Sequence, residues 1–273
     1  VEPARPWEIL AITFTNKAAN ELKERLERML GPAVSRDVWA CTFHSACVRI
    51  LRRDIDKLGL SRDFTIYDTD DAKRLIKDCL KELSLEEKTF PPREVLSAIS
   101  NAKDAMVDPS AYQKQADTMG DWRRQRIGKV YALYNKKLWD ANALDFDDII
   151  LHTVRLLQSS PETLAYYQHR FRYVLIDEYQ DTNHLQYLLA HLLAGEYENI
   201  CVVGDDDQSI YRFRGANIEN ILGFEKDYRH ARTIRLEQNY RSTQHILDAA
   251  NAVIRNNRGR KGKTLWTDNG AGE

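Results

Sequence analysis

The 273-residue chain carries 40 Lys+Arg against 41 Asp+Glu, a formal net charge of −1, with four cysteines. Balanced charge rules out choosing a partner by net charge alone, and the length allows a full core and more than one domain. No C-x-x-C pair, His cluster at zinc spacing, bilayer-length apolar run or leader is visible. The expectation is a cytoplasmic protein with reduced thiols and no membrane contact.

In chain order, WEILAITFT (7–15) reads as a buried strand. NKAANELKERLERML follows with Leu22, Leu26 and Met29 at helical spacing, Thr15 or Asn16 as N-cap and Gly31-Pro32 as stop. VWACTFH (38–44) is a second strand, and SACVRILRRDIDKLG (45–59) a second helix. Strand–helix–strand–helix implies a parallel sheet. From about 68 to 158 the patterns are mainly helical: DTDDAKRLIKDCLKEL, PPREVLSAISNAKDAM, WRRQRIGKVYALYNKKLWDANA and DFDDIILHTVRLLQ, punctuated by prolines 91, 92, 109 and 161. The sheet then resumes with YVLIDE, a helix around LQYLLAHLLA, and the strand NICVVGD (199–205). A last strand and helix are expected over 233–257. Two stretches, 122–138 and 255–263, hold bases and no acid. Such runs are usually solvated faces, and nucleic-acid contact needs further signals.

The further signals sit at strand ends. The run Tyr173 to Ile176 suggests a strand buried on both faces, and it ends in Asp177-Glu178. Adjacent carboxylates there are costly unless something binds. Asp177 suits Mg²⁺, and Glu178 suits orienting or deprotonating a water. The bland alternative is two surface acids. A second strand ends in GDDDQSIYRFRGA (204–216). Its three crowded aspartates need hydrogen bonds or a cation. Gln208 suits a phosphate oxygen, and Tyr211-Arg212-Phe213-Arg214 interleaves aromatics with cations, as base stacking requires. Alone, Tyr211 and Phe213 read better as a period-2 core pair on a strand.

Five segments, in order, resemble the motifs of the UvrD/Rep/PcrA family of superfamily 1 DNA helicases: AITFTNKAA (11–19), TFHS (42–45), VLIDEYQDTN (174–183), VVGDDDQSIYRFRGA (202–216) and LEQNYRS (236–242). DFDD (145–148) matches a weaker element. The resemblance runs the length of the chain. It implies an α/β fold, a RecA-like parallel sheet flanked by helices, with a helical insertion subdomain. The implied division is 1–67 first RecA-like domain, 68–158 insertion, 159–230 first domain continued, and 231–273 start of the second. ATP and Mg²⁺ are the implied cofactors, and single-stranded DNA with ss/ds junctions the implied partner. Asp177 resembles the magnesium aspartate, Glu178 the catalytic base and Gln208 the γ-phosphate sensor. Tyr240 resembles the adenine-stacking aromatic, and Arg241 an arginine reaching the γ-phosphate. Phe14, Asn16, His44, Tyr211, Phe213 and Arg214 resemble residues of the single-stranded DNA track. Taken alone, His44 reads as structural, Arg241 as a surface ion pair and Phe14 as core; the motif context favours function. Phe213 stands where tryptophan is common, so stacking is expected on a smaller face.

A phosphate loop, G-x-x-x-x-G-K-[ST] between strand and helix, is not among these motifs. The G-K-[ST] at Gly262-Lys263-Thr264 has Asn257 where glycine is needed, a helix before it and no helix after. The expectation is therefore a fragment of a helicase that translocates 3′ to 5′, inactive alone, with an unpaired edge inside the sheet that favours self-association. Two alternatives stand beside it: an ATP-independent DNA-binding module, and part of a helicase–nuclease.

Overall fold

The computed structural model describes residues 3–257 and 259–272. The chain forms two compact units: Val1–Asp177 with Asn183–Val202, and Glu178–Thr182 with Val203–Glu273.

The first unit is built on a parallel four-stranded sheet. Strand β1 (Ile9–Thr13) leads to α1 (Asn16–Leu30) and the short α2 (Pro32–Ser35). Strand β2 (Trp39–Thr42) runs straight into α3 (Phe43–Asp54). Later come β5 (Tyr173–Ile176), α10 (His184–Ala194) and β6 (Ile200–Val202). The spatial order is β2-β1-β5-β6. Register is direct, with Ala11 opposite both Ala40 and Leu175, and Leu175 opposite Cys201. Capping follows from side-chain chemistry. Thr15 Oγ1 accepts the Ala18 N–H at 3.1 Å, and Gly31 takes φ +79° where α1 ends.

Between β2 and β5 lies the helical part. Strand β3 (Thr65–Ile66) is followed by α4 (Thr69–Glu82), α5 (Pro92–Asp104), α6 (Pro109–Met119), α7 (Trp122–Asp140) and β4 (Ala143–Leu144). β3 and β4 pair in parallel, so both ends of the four-helix segment are tied together. Its core includes Ile76, Leu80, Val95, Ile99, Val130 and Tyr134. Next, α8 (Phe146–Ser159) packs on α3 and α10, and α9 (Pro161–Arg170) leads into β5. Helices α6 and α9 begin at the prolines that sequence reading took only as breaks. Proline at a first helical position loses no hydrogen bond, so it starts helices as well as ending them.

The structure corrects several expectations. β1 and β2 are buried on both faces; in β5, Val174 and Ile176 are buried while Leu175 is 40% exposed. Strand β6 is no more covered, with Cys201 exposed. The sheet interior has no gap, because β1 and β5 pair directly; its open edges are β2 and β6. Met29, expected on the buried face of α1, is exposed. The acid-free run in α7 borrows acids from elsewhere: Arg123 pairs with Glu94 and Lys137 with Glu82. All four cysteines are free, and among the described residues no helix is long and apolar enough to cross a membrane.

The second unit holds α11 (Glu219–Leu222), α12 (Phe224–Asp227) and α13 (Gln244–Ile254), joined by turns. The strand expected after 233 does not form. Ile234 and Leu236 are exposed, and the described residues offer only an isolated bridge from Gln238 to Trp266. Extended backbone needs a partner strand to become a sheet.

Candidate nucleotide and nucleic-acid site

In the first unit, Asp177 directly follows β5. Its N–H continues the ladder to the Ile12 carbonyl at 3.0 Å, and its side chain is exposed. Phe14 lies edge-on to Phe43 at 5.5 Å, and Asn16 is the exposed first residue of α1. His44, in the first turn of α3, meets the Phe146 ring edge-on at 5.7 Å. Burial lowers its pKa, opposed by a backbone hydrogen bond at Phe146, so the imidazole is neutral at pH 7. Phe14, Asn16 and His44 flank the carboxyl ends of β1 and β2, where parallel α/β sheets bind ligands.

In the second unit, Glu178 holds left-handed backbone, φ +52° and ψ +40°. Such strain costs about 1–3 kcal/mol and recurs at functional sites. Gln180, which is buried, joins two loops: its Nε2 donates to Glu178 Oε2 at 2.8 Å, and its Oε1 accepts the Asp205 N–H at 3.0 Å. Gly204 is what lets it in. A Cβ there would stand 2.5 Å from Gln180 Oε1 and 2.7 Å from Ile221 Cδ1.

The three aspartates find both the hydrogen bonds and the cations they were expected to need. Their carboxylates have atoms within 4.8 Å of one another. Arg260 Nε donates to Asp207 Oδ1 at 2.6 Å, the Lys261 N–H to Asp206 at 2.7 Å, and Lys263 pairs with Asp205. Burial pushes the Asp205 carboxyl up, but hydrogen bonds from Lys263 and Gln208 outweigh it and hold the group below the usual range. Gln208 Nε2 is 2.7 Å from Asp205 Oδ2.

Tyr211 and Phe213 lie in a turn, not on a strand, so the core-pair alternative fails. They are 39% and 76% exposed, with ring centroids 6.0 Å apart. The Arg214 side chain lies outside the described residues. Tyr240 is exposed, its hydroxyl donating to Gln238 Oε1 at 2.8 Å. Asn239 Oδ1 accepts the N–H groups of Arg241 and Ser242, which fixes the turn that presents Arg241. Among the described residues, no strand precedes and no helix follows 262–264.

Sequence reasoning missed two devices. Gln180 was read only as motif continuation, though a buried glutamine between two carboxylate loops signals a bridge. The second is a buried ion cluster: Lys103 Nζ contacts Asp145 at 2.7 Å and Asp148 at 2.8 Å, with Tyr134 donating to Asp145 at 2.8 Å. The Asp145-x-x-Asp148 capping box was its visible half.

The first unit is a parallel sheet flanked by helices, the frame of a RecA-like α/β domain, with Asp177 at one strand end. The UvrD/REP helicase N-terminal domain matches residues 1–229 and the UvrD-like helicase C-terminal domain residues 234–273; the chain belongs to the UvrD/REP helicase family. It is 56% identical over 267 residues to the ATP-dependent DNA helicase PcrA of Bacillus subtilis (strain 168), covering 98% of this chain. It is 54% identical over 268 residues to the PcrA of Staphylococcus aureus (strain Mu50 / ATCC 700699), again over 98% of this chain. The chain spans 36% of the length of these curated relatives.

Proposed function

We propose that this chain supplies the magnesium and base side of an ATP-dependent DNA helicase that tracks 3′ to 5′ on single-stranded DNA and opens duplex at ss/ds junctions. The relatives' names and the order of motifs support this reading. The observation that carries it is the Gln180 bridge. It ties the Glu178 loop to the loop holding Gln208, which runs on three residues to Tyr211 and five to Phe213. Such a connection is what coupling of phosphate state to DNA contact requires.

The residues fit the cofactors. Asp177 offers an exposed hard oxygen at a strand end, suited to Mg²⁺, and Tyr240 an exposed ring suited to adenine. Bound Mg²⁺–ATP supplies a transferable γ-phosphoryl group and the charge that stabilises its departure. Asp177 would hold the metal. Glu178 would orient water and take its proton at the carboxylate, with Gln180 positioning it. Gln208 would contact a γ-phosphate oxygen without the desolvation cost of a charge, and Arg241 would reach the same group. The 273 residues contain no phosphate loop, so by themselves they turn over ATP negligibly. We assign residues 1–67 and 159–230 to the first RecA-like domain, 68–158 to its insertion and 231–273 to the start of the second. Action in the cytoplasm fits the free cysteines, and the open β6 edge favours self-association.

The test is single-strand binding. Tyr211→Ala and Phe213→Ala each weaken oligo-dT binding by about 1–3 kcal/mol per base stacked, read by fluorescence anisotropy. Binding as tight as the parent in both variants overturns the track.

A further inference from the structure

A cavity of about 530 Å³ opens between the last turn of α3, the turn after it, and helix α9. Its volume falls in the range of about 300–1,000 Å³ usual for ligand sites. Helix α3 starts at the carboxyl end of β2, so its last turn lies toward the amino end, and α9 finishes two residues before β5 begins. The cavity therefore sits toward the amino ends of the strands, away from the carboxyl ends that carry Phe14, His44 and Asp177. None of the candidate nucleotide or DNA residues lines it.

Arg53, Lys57 and Arg170 do line it, and Tyr166 organises the two arginines. The Arg53 guanidinium carbon lies 3.4 Å from the centroid of the Tyr166 ring, and Arg170 Nη1 donates to the Tyr166 hydroxyl at 3.3 Å. Arg170 is also braced on the buried Trp39 ring, 5.1 Å from its centroid. Guanidiniums held on aromatic faces keep their donors oriented at little entropic cost. Lys57 Nζ donates to Thr163 Oγ1 at 2.6 Å, which fixes the third cation. The acids do not match this group. Buried Asp54 is shared between Arg53 at 3.6 Å and Lys57 at 3.4 Å. Glu162 stands at the start of α9, eight positions before Arg170 and about 12 Å from it along the helix axis.

Donors are in excess at the arginine end. Arg170 Nε is buried and has no hydrogen-bond partner. A buried donor left in that state is costly unless something accepts from it. The Tyr166 hydroxyl accepts from Arg170, so its own hydrogen is left to donate. Basic residues in the last turns of α3 and α9 also suit the helix dipoles. The dipole effect requires neither a shared cavity nor a buried orphan donor. Two guanidiniums, a hydroxyl and an ammonium outnumber the two oxygens of a carboxylate, whereas a tetrahedral phosphate presents three or more acceptors.

We propose that this cavity binds the phosphate group of a small molecule, either inorganic phosphate or a phosphate monoester. Arg53 and Arg170 grip the phosphate oxygens, the Tyr166 hydroxyl donates between them, and Lys57 closes the far side. The site is independent of the helicase reading and stands or falls without it.

The 273-residue chain is titrated by calorimetry with inorganic phosphate, glycerol 3-phosphate and acetate. Arg53 and Lys57 have side chains 44% and 35% exposed, so Arg53→Gln and Lys57→Gln keep the fold, checked by circular dichroism. Tyr166→Phe keeps the ring beneath Arg53 and removes only the hydroxyl. Phosphate binding is expected in the parent, with acetate far weaker. Each charge variant should weaken phosphate by about tenfold or more, and Tyr166→Phe by about three- to tenfold. Arg123→Gln, which removes an arginine from α7, should leave it unchanged. Glycerol 3-phosphate binding tighter than inorganic phosphate assigns the site to an ester, and equal binding assigns it to free phosphate. Three results each overturn the proposal: no phosphate binding by the parent, acetate bound as tightly as phosphate, or phosphate affinity unchanged in Arg53→Gln, Lys57→Gln and Tyr166→Phe. Weakening of the same size by Arg123→Gln would overturn it too, as the mark of diffuse surface attraction.

Discussion

The molecule neutralises crowded aspartates in two places and in two different ways. In the first unit, Asp145 and Asp148 surround Lys103, with side chains 0–8% exposed. In the second, Asp205 and Asp207 meet Lys263 and Arg260, with side chains 11–23% exposed. The chemistry is the same, but the dielectric is not. Away from water, neither partner can be replaced by solvent, so the Lys103 cluster is locked and joins α5 and α7 to the start of α8. Nearer water, ions exchange partners cheaply, so the Asp205 loop can rearrange. Gln208 bonds to Asp205, so the proposed phosphate sensor sits on the exchangeable cluster.

Removing one partner from each cluster separates the two regimes. Lys103→Met leaves two buried carboxylates uncompensated and lowers unfolding free energy by about 3–5 kcal/mol, read from urea denaturation. Arg260→Met in the same assay shifts the midpoint far less, because water takes over the freed carboxylate. Equal losses in both variants would erase the distinction.

A smaller effect sharpens it through pH. Asp104, at the end of α5, accepts from Asn183 Nδ2 at 2.8 Å, and Asn183 caps α10. Burial, with the nearby Asp147 charge, pushes the Asp104 carboxyl up to about 7 despite the Asn183 hydrogen bond. In the unfolded chain an aspartate titrates near 3.9. Between these values the folded state keeps a proton that the unfolded state releases. This group therefore makes the protein less stable as pH rises from about 4 through about 7. Asp148 is shifted in the same direction and Asp145 in the opposite one. Asp104→Asn keeps an acceptor for Asn183, so it flattens the fall in urea midpoint between pH 5 and pH 8 without abolishing it. A variant whose pH profile overlays the parent would remove Asp104 as a contributor.

Legibility in the sequence followed the same division. In the first unit, helical spacing and strand runs located most elements, because burial imposes period on sequence. The exceptions were α6 and α9, hidden by starting prolines; β5 was located, but not its uncovered Leu175 face. In the second unit, motif resemblance singled out the candidate residues while periodicity misled. The apolar 233–236 stretch forms no strand, because no described strand lies alongside. Exposed Tyr211 and Phe213 could be told from a core pair only in three dimensions. Lys103 was invisible for a general reason: a lysine in a helical pattern reads as surface until its two aspartates, 42 and 45 positions on, close over it.

The central claim is that Glu178, strained and held by Gln180, is the base of an ATP-driven motor. It is tested most directly by Glu178→Gln in a longer chain that includes a phosphate loop and a complete second domain. Measured together, DNA-stimulated ATP hydrolysis and equilibrium ATP binding decide it. The account predicts hydrolysis reduced by about 10²–10⁴-fold, the usual contribution of a positioned base, with ATP affinity retained. Hydrolysis at the parental rate would contradict it.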